Sequence, residues 1–398
     1  MRWLVGLLLA AVPVAGWAED ARLSELRGML VPMREHPLAH PESRGATPDL
    51  TVVKHKLRDW IESRLAPFAP NEDPIALAQR LNDELRQAGL FCASEKQCPQ
   101  QSWLGFLNPV RVDMQAWGTF LVVQTAVGIQ CAFDQSAYAY ERTGDHSRRF
   151  WQSEQDDYRK GKYLPQNLHA VLISPTDYRP DGDKSAHLVL TLGTEPWCSS
   201  NWHDVYVRVW RTKAGMAEPK LLLDEGDWAY LGAHDPPIQG SVGPADVLVE
   251  YSVAGGGHSR PEIRHYMVDQ DKVERVDPIA LRPRDFVEEW FLRSWTEASR
   301  WTEPGIRTKM QQRHGSPHAA TDDIYPTLHC GQKPDLWQVR IDFGDADKQT
   351  PEYFLIRWQP PYRFTMAAVS DRPWAGCTEE DPAADEVRTL FPVQDWRE

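Results

Sequence analysis

At 398 residues, 41% of them hydrophobic, the chain is long enough for two or three domains and too apolar for a disordered tail. Its net charge of −13 comes with no basic run, so phosphate backbones and anionic lipid are poor partners, and neither nucleic acid nor a membrane surface is expected. The 17 tryptophans and 31 prolines are both high, and composition alone leaves open whether the indoles fill cores or display stacking surfaces.

Residues 1–18 read as a secretory signal peptide: Arg2 precedes an apolar run from Trp3 to Val12, and Gly16 and Ala18 stand where a signal peptidase cuts. Cleavage after Ala18 would leave no transmembrane segment, because the run is short and broken by Pro13. A periplasmic or secreted location is implied, in an oxidising compartment where the cysteines pair. A short leader and the lack of any Asn-X-Ser/Thr sequon point to a bacterial envelope.

Residues 19–105 form a helical segment. A short helix over 22–28 leads into a stretch extended by Pro32, Pro37 and Pro41. Thr47-Pro48 opens a second helix with Leu50, Val53, Leu57, Trp60, Ile61 and Leu65 on one face, stopped by Pro67. Asp73-Pro74 opens a third, with Ile75, Ala78, Leu81, Leu85 and Ala88 in register and Gly89 as its terminator. This hairpin is too small to fold alone and is expected to dock on the β segment C-terminal to it.

Residues 106–280 change to period two. Strands are expected over 120–127, 136–141, 168–174, 187–192, 204–210, 220–223, 246–253, 262–268 and 272–276, an antiparallel β domain. A three-fold repeat runs through it. Leu121-Val122-Val123, Leu188-Val189-Leu190 and Leu248-Val249-Glu250 each stand about ten residues before Cys131, Cys198 and His258. Each unit would be a long hairpin, and the set would be propeller-like. The loops at Asp134, at Trp202-His203 and at His258-Arg260 would then share one rim.

Residues 281–322 contain an amphipathic helix from Arg284 to about Thr296, whose stripe Val287, Trp290, Phe291 and Trp295 reads as core, with a linker over 302–322 after it. The C-terminal segment 323–398 returns to strands over 336–343, 353–358 and 364–369. The fold class is therefore mainly β, α+β overall, with an N-terminal helical hairpin and one internal helix.

Six cysteines allow fifteen pairings; the positions favour Cys92–Cys98, Cys131–Cys198 and Cys330–Cys377. Without a CxxC or a Cys/His cluster at zinc spacing, no metal and no cofactor is expected. The chain carries no nucleophile elbow, HExxH, P-loop or dinucleotide fingerprint. The densest polar and aromatic cluster runs from Glu195 to Asp204 between two expected strands. There Trp197 and Trp202 could stack on sugar rings, and Asn201 could bind hydroxyls. In the matching loop of the third unit, His258 and Arg260 come after three glycines that admit a close ligand. These residues and Asp134 form the expected ligand-binding set of a non-catalytic module for a protein or glycan of the cell envelope. The alternative is a hydrolase of an envelope polymer, with His203 and Asp204 as an acid–base pair and Glu195 beside them.

Overall fold

The architecture comes from a computed structural model. It describes residues 20–35, 50–65, 73–92, 104–115, 119–129, 132–143, 146–153, 166–175, 186–195, 202–213, 218–230, 238–254, 259–276, 280–314, 321–331, 333–343, 350–359 and 363–385. Residues 1–18, expected to be a leader, lie outside these residues.

Three helices open the described chain: α1 Ala21–Glu35, α2 Leu50–Leu65 and α3 Pro74–Gln87. The first is longer than its expected span and passes through Pro32. Leu23, Leu26, Leu30 and Met33 are all buried at helical spacing, so packing outweighs the lost amide. α2 buries its expected face in full. α3 starts where Asp73 accepts from the Ile75 amide at 3.1 Å, and Gly89 closes it at φ 69°. Its buried stripe is Leu77, Leu81 and Leu85, whereas Ile75 is 63% exposed and not on the packed face as expected.

The first sheet is the meander β1 Leu107–Gln115, β2 Phe120–Ile129, β3 Ala132–Thr143 and β4 His146–Ser153. β2 is apolar on both faces because it is covered on both. Leu121, Val123, Val127 and Ile129 pack with Tyr138 and Tyr140 against the helices. Phe120 and Val122 turn the other way, with Trp151, onto Leu168, Val171, Ile173 and Val189 of the second sheet.

That second sheet comprises β5 Asn167–Ile173, β6 Ala186–Thr194, β7 Trp202–Lys213, β8 Lys220–Tyr230, β9 Gln239–Val242, β10 Asp246–Ala254, β11 Ser259–Asp269 and β12 Lys272–Val276. Its order is β12-β11-β10-β8-β7-β6-β5, with β9 paired to β10. The hairpins β2–β3, β6–β7 and β10–β11 form, but the second and third share one sheet with β8 between them, so they are not separate blades. The sheet instead curls on itself. A Cβ at Gly240 would sit 2.9 Å from Leu192 Cδ1 and 3.0 Å from Leu190 Cδ2, so this glycine lets β9 lie against β6. The enclosed core holds Leu188, Leu190, Val205, Val207, Val247 and Val249. Among the described residues no barrel closes.

The chain then forms α4 Pro283–Leu292, α5 Trp295–Ala298 and α6 Arg307–His314. The expected single helix breaks at Arg293 (φ −81°, ψ 159°), because Ser294 and Glu297 make a reciprocal capping box that starts α5. Val287 and Trp290 are buried, and Phe291 and Trp295 pack against the same cluster, so the aromatic stripe is core. The segment expected as a linker is in part α6, whose only buried side chain, Met310, anchors it to the core around Trp290. The last sheet is β13 Thr321–Ile324, β14 Leu328–Cys330, β15 Leu336–Phe343, β16 Thr350–Gln359, β17 Arg363–Ser370 and β18 Cys377–Glu380, with α7 Pro382–Asp385 after it.

Cys330 and Cys377 oppose one another in β14 and β18 and are disulfide-bonded across a separation of 47 residues. By loop-closure entropy such a clasp contributes roughly 4 kcal/mol. Cys92 is also disulfide-bonded. Cys98, Cys131 and Cys198 lie outside the described residues, and so do the other two expected pairings. Among the described residues no helix is long and apolar enough to cross a membrane.

Candidate functional site

The first sheet reaches the second through β3 on β5 and β4 on β7. β8 lies beyond that cover, so its outward residues Asp224, Gly226 and Trp228 are exposed. A cleft of about 400 Å³ opens there, lined by Glu195, Asp204, Tyr206, Arg208, Asp224, Gly226, Asp227 and Trp228.

Register explains its shape. Gly193, Tyr206 and Gly226 oppose one another across β6, β7 and β8. A side chain at Gly193 would collide with the Tyr206 ring, so the tyrosine lies over that glycine and forms the floor. Arg208 stacks 4.4 Å from the Tyr206 ring centroid and donates from Nε to Asp224 Oδ1 at 2.8 Å. Asp204 opposes Trp228, which places carboxylate and indole on the same face. Trp228 is 48% exposed. The Glu195 amide donates to the Asp204 carbonyl at 3.0 Å, bringing the end of β6 beside the start of β7. The Glu195 carboxyl is pushed up, first by burial and then by Asp204, with Arg208 opposing. Burial likewise raises the Tyr206 hydroxyl well above its usual range, with Arg208 opposing.

Two expected features change. Trp202 and His203 are not loop residues: the strand expected from Asp204 starts two residues earlier, and β7 pairs Trp202, His203 and Asp204 with Tyr230, Ala229 and Trp228. Alternation along a strand therefore sends His203 and Asp204 to opposite faces, so they are not an acid–base pair. The His203 imidazole bonds through Nδ1 to the Glu195 carbonyl at 3.2 Å; because that oxygen only accepts, Nδ1 carries the proton. On that same face His169, at the β5 bulge, meets Thr194 Oγ1 through Nε2 at 3.1 Å. Its pKa is lowered to about 4, by burial and then by His203.

Arg260 is likewise a strand residue, in β11. Register links it to the start of β7: His203 opposes Ala229, Ala229 opposes Val253, and Val253 opposes Arg260. The two expected loops thus reach one end of one sheet. Asp134 does not join them at a rim. It is buried, 2.6 Å from Lys54 Nζ, and accepts from the Gln166 amide at 3.2 Å. It connects to the cleft from beneath, because the Tyr206 hydroxyl donates to Gln166 Oε1 at 3.4 Å. Trp197, Asn201 and His258 lie outside the described residues, as do the side chains of Trp202 and Arg260.

Sequence reasoning missed Tyr206, Arg208, Asp224, Trp228 and His169. The signal was present: Asp204, Tyr206 and Arg208 alternate with Val205, Val207 and Val209, and one face of a strand cannot be polar and aromatic without exposure or partners. Among the described residues no group of three or more His, Cys, Asp or Glu side chains is placed to hold a metal. No family model matches the chain, and no curated protein does.

Proposed function

We propose that the protein is an exported, non-catalytic binding module of the bacterial cell envelope, and that it takes a glycan in the β6–β7–β8 cleft. The observation that carries this reading is Trp228, a large indole left half-exposed beside Asp204 over a floor made by Tyr206. Aromatic faces bind the apolar faces of sugar rings, and flanking carboxylate and guanidinium groups bind hydroxyls. Export is supported by the leader-like residues 1–18 and by the Cys330–Cys377 disulfide.

The test is a thermal-shift screen of the oxidised protein against envelope glycans. A ligand at a hundred times its Kd adds about 2.7 kcal/mol to stability. Trp228→Ala is expected to abolish the shift without lowering the melting temperature of the free protein. A flat screen, or a shift that survives in Trp228→Ala, overturns the reading. N-terminal sequencing of exported protein is expected to begin at Glu19.

One observation favours hydrolysis as a second reading: the Glu195 carboxyl is held protonated to higher pH beside Asp204, an arrangement that suits a general acid next to a base. Incubation of a bound glycan would then yield shortened products, lost in Glu195→Gln while binding persists. An unchanged glycan rules this out.

A further inference from the structure

The charges that line the cleft bear on the chemistry of its ligand, granted that the cleft is the binding site. Arg208 is held by Asp224 and stacked on Tyr206. Asp227 bonds Arg264 on the opposite face of β8. Each of these two carboxylates thus has a guanidinium partner, and Arg264 is shared further with Glu225 and Glu262, so neither guanidinium has positive charge to spare for the cleft. The remaining carboxylates, Glu195 and Asp204, are neighbours, and among the described residues no hydrogen bond or ion pair engages either. The cleft therefore carries about two uncompensated negative charges next to an exposed indole. Like charges held together in a partly desolvated site attract a cation, and an indole face adds to that attraction when the cation is an organic ammonium. An acidic sugar would meet repulsion, because Arg208, the one guanidinium of the cleft lining among the described residues, is already committed to Asp224.

We propose that the glycan recognised in this cleft bears a free, protonated amino group, seated between the Asp204 carboxylate and the Trp228 ring with Glu195 at its side. Unlike an N-acetylated sugar, such an amino sugar offers the charge that the site lacks. Gly226, directly opposite Tyr206 and without a side chain, leaves the space between them.

The experiment is calorimetric titration of the full oxidised protein with a glucosamine tetramer and with its N-acetylated counterpart, at a pH where the amine is protonated. The free-amine tetramer is expected to bind at least tenfold more tightly. Asp204→Asn and Trp228→Ala are each expected to weaken it tenfold or more. Asp83→Asn, which removes an equal charge from the exposed surface of α3, is expected to leave it unchanged. Folding of each variant is checked by its melting profile. Equal affinity for the two tetramers overturns the amine inference and leaves the glycan reading standing. Binding of neither overturns both. Loss of affinity in Asp83→Asn equal to that in Asp204→Asn overturns the site, because attraction would then be to the acidic surface at large.

Discussion

Two carboxylate sites lie on either side of Tyr206 and are treated in opposite ways. Beneath it, Asp134 is fully buried against Lys54, whose own side chain is 1% exposed, and the Gln166 amide also donates to it. Above it, Glu195 and Asp204 stand together at the cleft without an ion pair among the described residues. The buried aspartate is neutralised because burial leaves no other solution. The outer pair is tolerated because water reaches it, at the expense of a raised Glu195 pKa. A satisfied charge ties α2 to β3; an unsatisfied one is available to a ligand. Substitutions at the two sites should accordingly behave as opposites.

The largest effect is expected beneath the tyrosine. Lys54→Ala removes the buried cation 2.6 Å from Asp134 and should cost about 3–5 kcal/mol in chemical denaturation. Replacing both members, Lys54→Met with Asp134→Leu, should recover most of that loss. A small loss in Lys54→Ala would mean that the pair is hydrated and the contrast false.

Next comes the pH response of the far face of β6–β7. His169 titrates near 4 in the folded protein and near 6.5 when unfolded, so the unfolded chain holds the extra proton between these values. Stability is therefore full above pH 6.5 and falls as the pH drops toward 4, by up to about 3 kcal/mol. His169→Gln should flatten this part of the stability–pH profile. An unchanged slope would assign it to other groups.

A middle-sized effect tests how the helices hold the first sheet. Asn82 of α3 donates to the Val110 carbonyl at 3.0 Å and accepts from the Val110 amide at 2.7 Å, standing in for a strand neighbour at the bulge of β1. Asn82→Ala should destabilise by about 1–3 kcal/mol through the two orphaned groups. Hydrogen exchange at Val110 should rise with it.

The smallest change is expected in the cleft. Asp204→Asn should leave stability within about 0.5 kcal/mol of the parent, or raise it slightly, by removing the repulsion with Glu195. The Glu195 pKa should fall toward the ordinary carboxylate range in the same variant, as measured by carbon-detected NMR titration. A clear loss of stability would place Asp204 with Asp134 as a structural charge and end the comparison.

Much of the site was written in the chain but at a scale that composition does not resolve. The 195–204 cluster stands out by composition, and its two ends, Glu195 and Asp204, do line the cleft. The rest of the lining alternates along β7 and β8, where polar side chains resemble ordinary solvent-facing positions. β8 is expected from sequence to stop at Leu223 because Asp224-Glu225-Gly226-Asp227 resembles a turn; it continues to Tyr230 because Arg208, Tyr251, Arg264 and Tyr266 engage those carboxylates. α6 was hidden for a similar reason, since one buried Met310 secures an otherwise polar helix.

Sequence by itself determined what is local: the apolar face of α2, the capped start of α3 at Asp73, and the period-two segments that became β2, β6, β10 and β15. Each depends on residues a few positions apart, whereas the Cys330–Cys377 clasp was one of fifteen possible pairings until β14 and β18 brought the two cysteines together. Tertiary structure decided which hairpins share a sheet, which charges are neutralised, and where cover ends so that a cleft opens. Those outcomes depend on long-range pairing such as Lys54 with Asp134 and Ala229 with Val253. Whether a carboxylate is a strut or a binding group depends on how much water its neighbours leave it, and the chain carries no local record of that.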